Sequence, residues 1–189
     1  MKKTRRITFN SPVVLTFVIL SFAAMIANYL TAGLSNQLLF VTSHTPLTSP
    51  LTYVRFFTHV LGHSGWSHYI GNMMYLLLLG PMLEEKYGSR AVIEVILITG
   101  LVTGVVTWFL FPGIALCGAS GVVFAFIMMT SFTGFREGEI PLTVVLVAVI
   151  FIGQQVYEGL FVMDNVSNMG HILGGIVGAV AGYVLNKKS

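Results

Sequence analysis

Residues 117–126 read CGASGVVFAF. Gly118, Ala119, Ser120 and Gly121 form a small, flexible cluster, and a long apolar run follows at once. One hydroxyl therefore sits between glycines at the mouth of a segment that otherwise reads as lipid-soluble. Polar groups are costly in hydrocarbon and tend to face a protein interior or a wet cavity. The rest of the chain decides whether that applies here.

A chain of 189 residues is of single-domain length. Hydrophobic residues make up 55% of it and charged residues 9%, and the mean hydropathy is +0.84. Soluble domains carry roughly 25% charged residues. So few charges cannot cover a water-exposed surface, so lipid is the expected solvent. The net charge of +3 and pI near 9.1 do not point to nucleic acid. The basic residues lie at the two ends and in short loops, which is an orientation signal rather than a basic patch. The single cysteine, Cys117, excludes an intrachain disulfide and a multi-cysteine metal site, and it reads as a small packing residue.

A helix crossing the bilayer core needs about 20 apolar residues. Six runs approach that length: 12–33, 68–83, 91–111, 120–134, 141–159 and 169–186. The first follows Lys2, Lys3, Arg5 and Arg6, but it is long for a signal-peptide core, and a signal-anchor helix fits better. With residues 1–11 cytoplasmic, six spans return the C-terminus to the cytoplasm. Lys86, Arg90, Arg136, Lys187 and Lys188 then fall inside, and Arg55 is the one Lys or Arg left outside. Residues 34–67 form a long outer segment. Phe56, Phe57, Val60, Leu61 and Trp66 make it too apolar for an exposed loop, so short helices in the membrane interface are expected. The sequence shows no internal repeat and no low-complexity segment.

This orientation puts three polar residues at one depth. His68 opens the second run, Ser120 the fourth and His171 the start of the sixth, and all three runs enter from outside. Asn72 shares a face with His68 at i, i+4. In the sixth run His171, Gly174, Gly175 and Gly178 fall on one face, and Gly174 with Gly178 forms a GxxxG spacing that admits another backbone. Ser120, Gly121 and Ala125 make a similarly small face on the fourth run. Packing the two faces together would bring the Ser120 hydroxyl to the His171 imidazole, a nucleophile with its base.

The stretches RFFTHVLGHSGWSHYIGN (55–72), GPMLEEKYGS (80–89), GASG (118–121) and GHILGGIVG (170–178) carry a resemblance. In order and spacing they match the HxxxN, GxSG and HxxGxxxG motifs, and the chain resembles the rhomboid intramembrane serine proteases. The resemblance covers most of 55–178. It implies an all-α polytopic membrane protein, a six-transmembrane-helix bundle forming one domain over 1–189. It further implies a Ser120–His171 dyad that cleaves transmembrane protein substrates near the outer membrane face. Asn72 and His68 would assist the Ser120 N–H in holding the oxyanion, and Gly118 would let the substrate backbone come close. The expected setting is a bacterial inner membrane with both termini cytoplasmic. The expected partners are the bilayer and transmembrane substrates, with no cofactor, metal or nucleic acid.

The chain departs from the family pattern at three places. Val54 stands where a Trp is common, Phe124 replaces a common Tyr, and Cys117 a common Gly. The Phe124 ring is still expected under His171. His59 and His63 match outer-loop histidines and read as structural, and Glu84 reads as a loop-tying acceptor. Asp164 invites a triad reading, against which the resemblance favours a dyad. Gln154 and Gln155 either line a wet lateral opening or hydrogen-bond a neighbouring helix.

Two rival functions differ in class. A non-proteolytic rhomboid-like protein that binds membrane clients would need only the fold, whereas Ser120 and His171 are both present. A small transporter or metal-binding protein could use His59, His63 and His68. Only Asp164 and Glu158 accompany them near the outer face, and there is no HExxH.

Overall fold

A computed structural model describes residues 7–134, 139–161 and 168–187. Among these residues the regular structure is helical, with helices on all six apolar runs. They are α1 (Pro12–Leu30), α2 (Pro50–Thr58), α3 (Trp66–Leu110), α4 (Ser120–Ser131), α5 (Leu142–Phe161) and α6 (Asn168–Asn186), with a single π-turn at Asn36–Phe40. Three of them, α1, α3 and α6, are long and apolar enough to cross a membrane. Helix α4 and the Leu142–Gln155 part of α5 are apolar but shorter.

Helix α3 holds the second and third runs. At about 1.5 Å per residue its 45 residues would far exceed the roughly 30 Å of a hydrocarbon core if straight. Gly88 breaks it, with φ 82° and ψ 158°, a conformation that a side chain disfavours. Residues 66–87 and 89–110 are therefore two helical segments joined at a bend. Beside the bend, Glu84 accepts hydrogen bonds from the Val13 N–H (3.0 Å), the Val14 N–H (3.2 Å) and the Ser89 hydroxyl (2.6 Å). It satisfies two donors that the first turn of α1 leaves orphaned, and its charge suits that helix end. The expected loop-tying acceptor thus holds α1 to the bend of α3.

Run ends moved by a few residues. Helix α1 stops at Leu30 rather than Gly33, because Ala32 and Gly33 both take positive φ and turn the chain. Helix α4 stops at Ser131 rather than Gly134, where Phe132 and Thr133 close a tighter turn onto Met129 and Thr130. Helix α3 starts at Trp66, so His68 lies in its first turn.

Within the 34–65 segment, α2 and His59 pack against Gly100, Thr103 and Gly104 of α3. Arg55 Nε donates to the Leu38 carbonyl at 2.8 Å, and Asn36 Nδ2 to that of His63 at 2.9 Å. Thr42 and Leu116 exchange backbone hydrogen bonds at 3.0 and 2.8 Å, which ties this segment to the loop before Ser120. Phe56 and Val60 are buried, whereas Phe57 and Trp66 face outward. Such exposed rings suit a membrane interface.

Helix α4 is buried on nearly every side, its core residues running from Gly121 to Met129. Its closest neighbour is α6. A Cβ on Gly174 would strike the Gly121 carbonyl, and one on Gly178 would strike that of Ala125. Only hydrogen at these two positions permits the approach. Helix α5 touches α4 and α6 and no other helix among the described residues.

Candidate active site

Ser120 is the first residue of α4 and His171 the fourth of α6. The glycine contacts between these helices set their spacing, and the Ser120 Oγ lies 2.9 Å from the His171 Nε2. A hydroxyl at this distance can donate to an unprotonated imidazole nitrogen and pass it the proton during attack.

Two further contacts fix the ring. Its face rests on Phe124, with centroids 4.6 Å apart and planes at 41°. Phe124 in turn packs on Phe151 of α5 at 4.3 Å. The ring contact expected at this position forms without a phenol hydroxyl, though tilted rather than stacked. The other ring nitrogen, Nδ1, lies 2.9 Å from the Gln155 Oε1. Of the two readings of the glutamines, Gln155 takes the inter-helix hydrogen bond, and its side chain is buried while Gln154 is exposed. Asp164 lies outside the described residues.

Gly118 links the turn before Ser120 to His68. Its φ is +135°, and a Cβ there would meet the His68 Cε1 at 2.6 Å and Nε2 at 2.8 Å. Its N–H donates to the His59 carbonyl at 2.9 Å, which anchors the turn ahead of α4. Gly118 is thus required by both conformation and space. His68 presents its Nε2 edge to this turn, while its Nδ1 lies 3.1 Å from the Ser64 Oγ. If Ser64 donates, Nδ1 is the acceptor and Nε2 carries the proton, so the edge facing Gly118 is a donor. Nothing in the sequence reading singled out Ser64, although its spacing of four residues before His68 was available as a signal.

Asn72 follows one turn later on α3. Its side chain is buried, and its Nδ2 has no hydrogen-bond partner among the described residues. A buried donor without a partner is what a transient anion would satisfy.

Two further histidines, His59 and His63, are structural in their contacts. His59 joins the Arg55 carbonyl through Nδ1 (3.0 Å) to the Thr103 hydroxyl through Nε2 (3.1 Å). His63 packs edge-on against His68 and Tyr69. Burial lowers both to about 4, and for His63 the nearby His68 adds to the shift, so both are neutral at physiological pH. Among the described residues no three His, Cys, Asp or Glu side chains are grouped to hold a metal ion. Burial raises the Cys117 thiol to about 12, so it packs as a neutral group rather than a thiolate.

With this geometry in hand, known proteins give the chain its kin. The family model of the Rhomboid domain matches residues 50–188. Rhomboid-related protein 2 of Mus musculus is 32% identical over 161 residues, covering 74% of this chain and 53% of that protein. Rhomboid-like protein 11, chloroplastic, of Arabidopsis thaliana is 26% identical over 149 residues, covering 71% of this chain and 53% of that protein. The chain spans about half the length of these curated relatives. The matched region contains α2 to α6, including Ser120, His171, Asn72 and His68, and with its apolar helices it makes this chain an integral membrane protein that belongs to the rhomboid family.

Proposed function

We propose that this chain is an intramembrane serine endopeptidase that cleaves transmembrane protein substrates by a Ser120–His171 dyad. The observation that carries the reading is the 2.9 Å contact between the Ser120 Oγ and the His171 Nε2. Ser120 attacks the scissile carbonyl as His171 takes its proton, and a tetrahedral intermediate forms. His171 then gives that proton to the leaving amine. An acyl-enzyme on Ser120 remains, and water, activated by the same imidazole, hydrolyses it.

The oxyanion needs donors in place before it forms. The Ser120 N–H, at the start of α4, is the nearest candidate and gains from the positive end of the helix. The buried Asn72 Nδ2 and the Nε2 edge of His68 support a side-chain contribution.

We further propose six crossings in one domain: α1, residues 66–87, residues 89–110, α4, α5 and α6. The charge distribution supports cytoplasmic termini, with 34–67 on the outer face. Placement in a bacterial inner membrane rests on the sequence resemblance alone.

The test is cleavage of a model transmembrane substrate in proteoliposomes by the wild type and by Ser120→Ala. Ser120-dependent product supports the reading. Equal product from both proteins, or client binding without cleavage by the wild type, would favour a non-proteolytic member.

A further inference from the structure

Two adjacent amides on α5 have opposite fates. Gln154 is exposed, whereas Gln155 is 2% exposed. Burying an amide is unfavourable unless it is hydrogen-bonded, so the partner matters. The Oε1 of Gln155 meets the Nδ1 of His171 at 2.9 Å.

The proton count at His171 defines what this contact does. A neutral imidazole has one N–H and one lone pair, on opposite nitrogens. To take the Ser120 proton, Nε2 must present the lone pair, so Nδ1 must carry the hydrogen. An acceptor at Nδ1 stabilises that tautomer. Without it, the ring can adopt the tautomer in which Nε2 donates to the hydroxyl, and that form cannot act as the base. Phe124 fixes the face of the ring and Gln155 fixes its edge.

The choice of an amide also has a reason. A buried carboxylate at this point would add a charge to an apolar helix, which is costly in a membrane protein. A glutamine oxygen orients the imidazole without that charge.

We propose that Gln155 is a positioning residue, holding His171 in the Nδ1–H tautomer with the Nε2 lone pair directed at Ser120. This rests on the proteolytic reading above. The contact joins α5 to α6, so the base is correctly set only while α5 is docked beside it.

The experiment compares wild type, Ser120→Ala, Gln155→Leu and Gln155→Glu, each full length in proteoliposomes with a fluorogenic transmembrane substrate. Gln155→Leu should lower kcat roughly 10- to 100-fold with KM unchanged, as expected for a misplaced base. Gln155→Glu restores an acceptor oxygen and should recover most of that loss. Its acid limb of kcat/KM should also move to higher pH, because a carboxylate at Nδ1 stabilises the imidazolium. A folded Gln155→Leu with wild-type kcat overturns the inference, as does a loss confined to KM. Should Gln155→Leu fail to fold, the Glu variant decides alone, and an acid limb at the wild-type position overturns it. A wild type no more active than Ser120→Ala removes the proteolytic reading itself, and the inference falls with it. Ser120-dependent cleavage with no Gln155 effect removes the inference only.

Discussion

The Ser120 Oγ and the His171 Nε2 lie 2.9 Å apart although 51 residues separate them in the chain. Neither helix supplies this contact alone. It depends on the close approach of α4 and α6, and on Phe124 and Gln155 holding the imidazole. Both residues stand at helix starts, where replacement by alanine leaves the backbone undisturbed. Ser120→Ala and His171→Ala should therefore each abolish cleavage with little change in thermal stability. Purified, folded variants assayed beside wild type give the check, and substantial turnover by either one rules out the dyad.

The seam between α4 and α6 makes a second prediction. A Cβ on Gly174 would collide with the backbone of Gly121, which cannot move aside as a flexible side chain could. Gly174→Ala should force the helices apart and destabilise the protein by about 1–3 kcal/mol. Cleavage should fall with it, since the dyad spans the same seam. Gly71→Ala is the control, because a Cβ there meets nothing within 4 Å. Melting of both variants in detergent is the measurement. Equal stability for the two would show that the seam is looser than described.

The buried histidines His59 and His63 predict acid sensitivity. His59 and His63 ordinarily titrate near 6.5 and are lowered to about 4 by burial. The folded protein thus binds fewer protons than the unfolded chain between those values. Stability should be fully present above pH 6.5 and fall as pH drops through 6.5 towards 4. His63→Gln should flatten part of that slope. Melting temperatures recorded across this range check it, and a curve that is flat for the wild type contradicts the burial argument.

Much of this arrangement was legible in the sequence, for a physical reason. Membrane-length apolar runs mark helices directly, and the six runs coincide with helices to within a few residues. Ser120 and His171 could be paired because the small faces of their runs are readable as GxxxG-type spacing. Helix rotation was harder. Helix α5 is apolar nearly all round, so its sequence does not say which face turns inward. Gln154 and Gln155 point about 100° apart on a helix of 3.6 residues per turn, and only packing decides which is buried. Phe56 and Phe57 pose the same ambiguity in α2, where the first is buried and the second exposed. The Val14 and Val13 N–H groups that Glu84 holds lie 70 and 71 residues away in the chain, and its acceptor role was visible only as a type.

Asn72 is the sharpest test of the oxyanion site. Its Nδ2 is buried with no partner among the described residues, so a developing anion within reach would find a donor there. Asn72→Ala should lower kcat by about 10²-fold if that donor meets the developing charge. Substrate binding should change much less, because the bond strengthens mainly in the transition state. Single-turnover kinetics separate the two. An unchanged chemical rate would mean that Asn72 serves packing alone.

The position of the cut follows from where the helices begin. Ser120 opens α4, His171 lies in the first turn of α6, and His68 lies in the first turn of α3. The three meet at one end of the bundle, which the proposed orientation puts on the outer side. A substrate helix hides its carbonyls in its own hydrogen bonds, so it must unwind locally before Ser120 can attack. Glycine or proline near its outer end lowers that cost. The turn ahead of Ser120 is also crowded, since Gly118 abuts His68. Small residues such as Ala, Gly or Ser are therefore expected just before the cut, with helix-weakening residues after it. A model substrate in which the scissile residue and the following helix are varied separately tests both halves, with product masses locating the cleaved bond. Equal cleavage of a rigid poly-leucine helix would refute the unwinding requirement, and a cut near the cytoplasmic end would refute the assigned orientation of the site.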